Sequence, residues 1–388
     1  MIRPMTDNGH GSGDTVIAHA TKVDADGEVA DFWMRMHGEL ITATGRGTPP
    51  DAATLVDAEG RRLTPGFIDL HAHGGAGHSF DDGPEHIAAA LELHRRCGTT
   101  RSVISLVANP LPLLERSLAG IAELAASDPL VLGSHLEGPY LAPARRGAHE
   151  VRHLRRPSIH EVAGLVAAAA GTLRQVTIAP ELPDALAAID ALVEAGVVVA
   201  IGHTEADVEV SRQAFDRGAS LLTHAFNAMP GFGHRAPGPV GAALTDDRVT
   251  LELIVDGRHV HGSVVEIAFR AAPGRVALVT DAMAATGVGD GDYALGALEV
   301  EVREGFARVA GTDTLAGSTV TLDASLRRAM RSGVSPVDAV RAVTLTPALA
   351  LGLDHRFGLL TPGRAADAVM LDDAWSVRRV WAAGRSLR

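Results

Sequence analysis

Five runs in this chain, GFIDLHAH, LVLGSHLE, VVVAIGH, LLTHAF and VALVTDA, finish on side chains that can bind a cation. These side chains are His71 and His73, His135 and Glu137, His203, His224, and Asp281. Residues two apart on an extended strand face the same way, so His71 and His73 can offer both imidazoles to one ion. Imidazole with carboxylate is a ligand set that suits Zn, Fe, Mn and Co alike. An ion so held polarises a carbonyl and acidifies water, which is the chemistry of hydrolysis. A lone histidine in an apolar stretch is more often a hydrogen-bonded core residue than a ligand. Here five such strands end in imidazole or carboxylate, groups that are costly to bury unpaired, and this favours a shared metal site. His10, His19, His37, His86, His94 and His355 fall off the pattern and read as surface or structural.

Such residues meet only if the strand ends meet. Between Pro65 and Met283 eight strand-like runs alternate with helical patterns, among them DALAAIDALVEAG (184–196) and DVEVSRQAFDRG (207–218). Both helical patterns stop at glycine, a common C-terminal signal. Eight strand–helix units imply parallel pairing and a closed (β/α)8 TIM-like barrel, an α/β fold whose chemistry sits at the C-terminal rim. The strands are continuously apolar, as expected when both faces are buried. The flanks are different. Residues 14–64 and 358–388 hold short runs broken by Gly and Pro that read as antiparallel strands, expected to form one small β-sandwich domain beside a catalytic barrel over 65–357. Residues 1–13 read as a poorly ordered leader without the pattern of a secretory signal.

Composition narrows the class. Of 388 residues 46% are apolar, which suits one large α/β domain with a small appendage. The net charge of −12 disfavours nucleic-acid binding, which needs a basic surface. No apolar run is long enough to suggest a transmembrane helix. The only cysteine, Cys97, allows no intrachain disulfide and fits a reducing compartment, so a cytoplasmic location is expected. The only lysine is Lys22, outside the barrel.

The motifs PGFIDLHAHGG, HLEGPY, GHTEA, THAFNAMP, DGRHV and VTDAMAATG occur in this order, followed by LAGS at 315–318. Together they resemble the N-acetylglucosamine-6-phosphate deacetylases of the amidohydrolase superfamily, from about Leu63 to the C-terminus. PGFIDLHAH marks only the superfamily; HLEGPY with THAFNAMP and DGRHV is more specific. The resemblance implies that Glu137, His203 and His224 hold a main ion, and that His71 and His73 can hold a second with Glu137 bridging. It also implies that Asp281 is the catalytic aspartate. Zinc is the first expectation for one or two ions per chain. In many two-metal amidohydrolases a carbamylated lysine on the fourth strand bridges the ions. With Lys22 outside the barrel and that strand ending at Glu181, only a carboxylate bridge is available.

The resemblance further implies substrate contacts at Ala148, His149, Asn227, Ala228, Arg235, His259, Leu315, Ala316 and Gly317. Arg235 is expected to reach the site of the partner in a homodimer. Amide hydrolysis would use Asp281 first as general base and then as general acid, with His149 helping to stabilise the oxyanion. A guanidinium at Arg235 matches phosphate by paired hydrogen bonds, and with His259 it argues against a D-amino-acid deacylase or a deaminase. Another amino-sugar phosphate, such as N-acetylgalactosamine 6-phosphate, fits the same motifs. A non-catalytic sugar-sensing protein would not need the complete ligand set with Asp281.

Overall fold

The computed structural model describes residues 14–388, so the leader lies outside the described residues. Eight parallel strands follow one another around a barrel: Phe67–Asp69, Thr99–Leu106, Val131–Glu137, Leu173–Ile178, Val198–Ile201, Leu221–Leu222, Thr250–Ile254 and Val276–Val279. The first and last are joined by a parallel bridge between Ala72 and Ala282, with His73 N donating to Ala282 O (2.7 Å) and Asp281 N to His71 O (2.8 Å). The barrel is thus nearly closed, and the bonds that complete it are made by the backbone of the candidate ligands.

Helices cover the outside, each burying an apolar stripe. Ala185–Glu194 buries Ala185, Ala188, Ile189 and Leu192, spaced three, one and three residues apart on one face. Burying a side chain such as Ile189 or Leu192 stabilises the fold by about 1.5–3 kcal/mol. Val208–Asp216 begins where the Asp207 carboxylate accepts from the N–H groups of Glu209 and Val210, a cap for otherwise orphaned donors. Both helices fall where the sequence patterns place them.

Both chain ends enter a second eight-stranded sheet. Ala368–Leu371 pairs antiparallel with Arg62–Pro65, and Val377–Ala382 and Arg385–Ser386 extend that edge. On the other side Thr15–Asp24, Gly27–His37 and Leu40–Arg46 follow. Two pairings differ from the antiparallel expectation: Thr15–Asp24 runs parallel to both Thr54–Asp57 and Arg62–Pro65. The chain returns from strand to strand by a crossover there, and short apolar runs carry no mark of direction. This sheet has its own core, with Ile17, Phe32, Met34, Met36, Ile41, Leu63, Met370 and Trp381 buried together. It is fastened to the barrel by the buried pair of Arg101, on the second barrel strand, and Asp367 (Nε–Oδ2 2.6 Å).

A third sheet was not expected from the sequence. Gly291–Leu295, Leu298–Arg303 and Phe306–Val309 form an antiparallel meander after the eighth barrel strand. The alternation in YALGALEVEVREGFARV and its glycine turns was the available signal. The meander sets Leu295 and the segment Thr314–Gly317 over the mouth of the barrel.

Candidate active site

At the C-terminal rim lies a cavity of about 360 Å³. Its walls include His73, Glu137, His203, His224 and Asp281, together with Ala148, His149, Asn227, Ala228, His259, Leu315 and Gly317. Three expected residues do not line it. His71 is fully buried behind His73, Ala316 packs with Met283 into the core below the meander, and Arg235 is exposed on the loop before the helix Gly238–Leu244, outside this chain's own cavity wall.

Glu137 is the hub. Its Oε1 lies 3.1 Å from Nε2 of both His203 and His224 and 3.3 Å from Nε2 of His71. Its Oε2 lies 3.1 Å from His73 Nε2 and 3.3 Å from His149 Nε2. Asp281 Oδ1 is 3.3 Å from His73 and 3.6 Å from His71. Two donor sets result, His71–His73–Asp281 and Glu137–His203–His224, each with its ligand atoms within 4.8 Å of one another. The imidazole Nε2 atoms approach in pairs, 3.0 Å apart in both His71/His73 and His203/His224. Four ring nitrogens and two carboxylates converging in a buried space fit a divalent cation better than they fit one another.

The electrostatics agree. Burial works against a charged imidazole at His73, but hydrogen bonds to Asp281 and Glu137 and their charges push its pKa up to about 9. At His71 burial is likewise overcome by Glu137 and Asp281, and the pKa is raised well above the ordinary range. Burial would raise the Glu137 carboxyl, yet the charge of His71 and hydrogen bonds from His149, His203 and His224 hold it well below the usual range. Asp281, despite burial, is lowered by His71 and His73. The carboxylates therefore stay ionised and the pocket attracts positive charge.

Local backbone aims these side chains. His203, His224 and Asp281 have φ of +49°, +27° and +48°, in the left-handed region that L-residues seldom occupy. Such conformations persist only where surrounding structure holds them, and here barrel hydrogen bonds do. Gly317, at φ +65°, comes so close to the Asp281 carbonyl that a Cβ would lie 2.8 Å from that oxygen. His203 donates from Nδ1 to Arg145 O (2.8 Å), which leaves Nε2 free for the cluster. His149 accepts at Nδ1 from the Ala108 N–H (3.2 Å), so its Nε2 carries a proton toward the cavity. Burial lowers its pKa to about 4, and it works as a neutral donor.

His135, two residues before Glu137, is a core residue. It bonds Ser105 Oγ (2.9 Å) and Thr177 Oγ1 (2.8 Å) inside the barrel, and burial keeps it neutral. Two carboxylates outside the expected set hold residues of the site. Asp256, in DGRHV, accepts from His259 Nδ1 at 2.7 Å and from the Arg258 and His259 N–H groups. Against the effect of burial, Asp256 raises the pKa of His259 and so favours its cationic form in the cavity wall. Glu252, on the seventh barrel strand, is fully buried behind His71.

A parallel barrel with two clusters that could hold a cation, an ionised carboxylate and a neutral imidazole donor at one rim fits a hydrolase of the metal-assisted class. The chain belongs to the amidohydrolase family, whose model matches residues 62–387. It is 38% identical over 365 residues to N-acetylgalactosamine-6-phosphate deacetylase of Escherichia coli O157:H7, covering 93% of this chain and 96% of that one. It is 39% identical over 344 residues to the bovine N-acetylglucosamine-6-phosphate deacetylase, covering 84% of each. Among solved structures it is similar to an Asp-to-Ala mutant of N-acetyl-D-glucosamine-6-phosphate deacetylase from Mycobacterium smegmatis in complex with N-acetyl-D-glucosamine-6-phosphate. That match has a TM-score of 0.92 at 42% identity and covers 96% of this chain and 99% of the other. No helix among the described residues is long and apolar enough to cross a membrane.

Proposed function

We propose that this enzyme hydrolyses the acetamido group of N-acetyl-D-glucosamine 6-phosphate to D-glucosamine 6-phosphate and acetate. The observation that carries the reading is one cavity that opens onto residues of both donor sets and is lined by Asp281, His149, Asn227 and His259. Glu137, His203 and His224 would hold one divalent ion and His71 and His73 a second, with zinc the first candidate and Glu137 between them. An ion there supplies Lewis-acid polarisation of the amide carbonyl and acidification of water.

The chain's own groups do the rest. Asp281, held ionised, takes the water proton on its carboxylate in the cavity wall and returns it to the departing nitrogen. His149 Nε2–H donates to the oxygen that becomes negative. His259, made cationic by Asp256, and the backbone around Asn227 and Ala228 receive the phosphate, while Leu315 and Gly317 wall the sugar. Arg235, exposed and outside its own cavity, suits the role of a phosphate ligand for the partner in a homodimer. The barrel over 65–357 then carries the chemistry, and the β-sheet formed by 14–64 and 358–388 is read as a separate small domain. A cytoplasmic location fits this substrate.

N-acetylgalactosamine 6-phosphate is the second reading, favoured by the relative of that name that matches 93% of this chain. Acetate release measured on both hexosamine phosphates and their unphosphorylated forms tests the assignment. The expected order is N-acetylglucosamine 6-phosphate first and both free sugars last. Equal turnover of free and phosphorylated sugars would refute the phosphate reading.

A further inference from the structure

Beneath the cavity floor, the buried carboxylate of Glu252 touches both donor sets without belonging to either. Its Oε2 lies 3.3 Å from His71 Nδ1 and accepts from the backbone N–H of His224, also at 3.3 Å. Its Oε1 accepts from Gln175 Nε2 at 2.8 Å. Its own backbone carbonyl accepts from Ala225 N at 2.7 Å. Both oxygens are thus occupied, and the side chain does not line the cavity.

We propose that Glu252 is a positioning residue that fixes His71 and His224 together, one ligand from each cluster. Donation from His71 Nδ1 to Glu252 leaves Nε2 as the lone-pair nitrogen facing the cluster, 3.0 Å from His73 Nε2. The bond to the His224 N–H holds backbone that sits at φ +27° and aims that ring at Glu137. Its neighbour Gln175 does not replace it. Gln175 reaches only Glu252, and the Oε1 of Gln175 is itself buried without a partner.

That orphaned oxygen allows orientation to be separated from bulk and charge. In Glu252→Gln, the Gln175 amide can turn end over end so that its Oε1 accepts from the new amide N–H. The carboxamide oxygen at 252 then remains for His71 and His224. Glu252→Leu keeps the volume and removes every acceptor.

The inference rests on the two-ion reading above. The test measures Zn²⁺ stoichiometry and chelator competition on the purified full chain. Loss of a partner behind a ligating histidine costs about 10- to 100-fold in metal affinity. Glu252→Leu should therefore lose the second ion by that factor and hold the first less tightly, while Glu252→Gln stays within a few-fold of wild type. Two ions bound equally tightly by Glu252→Leu would overturn the inference alone. Equal losses in Glu252→Gln and Glu252→Leu would also overturn it, by showing that charge and not orientation matters. A wild-type chain that takes up only one ion overturns the two-ion reading and the inference with it. If Glu252→Leu does not fold, the His71 Nδ1 proton in Zn-loaded protein, identified by its loss in His71→Asn, carries the test. It should shift in Glu252→Gln as its acceptor changes from carboxylate to carboxamide, and an unmoved resonance would overturn the inference.

Discussion

Replacing Asp281 with asparagine removes one charge and little else. Asp281 sits at φ +48°, where alanine would be strained but asparagine is tolerated. Its backbone bonds, N to His71 O (2.8 Å) and O from Ser318 N (2.7 Å), do not involve the side chain and remain. Glu137, His203 and His224 form their donor set without Asp281, so at least one ion should stay bound. The groups assigned to the phosphate, Asn227 and His259, are also unchanged, so KM should move by no more than a few-fold. What is lost is the ionised oxygen proposed to accept and return the proton. A positioned general acid–base contributes about 10²- to 10⁴-fold, or about 2.7–5.5 kcal/mol of barrier. Acetate release by Asp281→Asn on N-acetylglucosamine 6-phosphate should therefore show kcat reduced by that factor, with metal content of at least one ion per chain. A kcat within tenfold of wild type at retained metal would refute the general-base assignment. Loss of all metal would show that Asp281 is first a ligand.

His71→Asn with His73→Asn should lower metal content to about one ion per chain while turnover continues, since the Glu137 set is intact; complete loss of activity with that ion still bound would show the second ion to be essential. Arg235→Ala would remove the proposed charge-assisted contact to phosphate, worth about 1.5–3 kcal/mol, so kcat/KM for the phosphorylated sugar should fall about ten- to two-hundredfold, with no change for the free sugar. Mixing these chains with Asp281→Asn chains should restore activity through hybrid dimers, and no recovery after verified exchange would place Arg235 at its own chain's site. The His259–Asp256 pair makes a pH prediction. Because the His259 pKa is raised, its protonated form is fully favoured below the ordinary value of 6.5 and is lost as pH rises through the raised one. KM for the phosphorylated sugar should rise on that alkaline limb, and Asp256→Asn should move the limb to lower pH. The substrate phosphate titrates near pH 6 in both proteins, so the comparison isolates the imidazole; an unmoved limb would remove His259 from phosphate binding.

The rim residues were legible because parallel barrel strands bring their C-terminal ends to one place, so a histidine or aspartate closing an apolar run could be read as a neighbour of the others. Glu137, His203, His224, His73 and Asp281 met as that logic requires. His135 shows its limit. It shares a strand and a face with Glu137, yet it lies one layer deeper, among Ser105 and Thr177. Depth in a barrel depends on strand stagger, which periodicity does not report. Glu252 carried a signal that passed unread, a carboxylate within the apolar run LELIV, where burial demands partners. Asp256 left only a short polar turn, and its bond to a ring three residues on becomes visible when the chain bends. Arg235 is offered by its motif, but it lies outside this chain's own cavity wall, and a motif in a Gly/Pro-rich loop does not report where the side chain ends up.

The contrast between His71 and His135 explains why the cluster binds charge at the rim and not below it. Their rings touch edge to face, with centroids 4.7 Å apart, and both are fully buried. Burial alone would keep both neutral, and at His135 it does, because hydroxyls of Ser105 and Thr177 can serve an uncharged ring. At His71 the carboxylates of Glu137, Asp281 and Glu252 reverse the outcome. One layer of side chains therefore separates a neutral imidazole from a pocket whose acids call for compensating positive charge. With no lysine in the barrel, that charge has to come from protons on the imidazoles or from an ion held between them. Protons would block the very Nε2 atoms that converge at 3.0 Å, whereas a divalent cation uses those lone pairs and satisfies both acids at once. A divalent ion is thus the arrangement that would give the four converging Nε2 atoms and both acids a partner, and it would leave Asp281 beside the cavity to take up the proton.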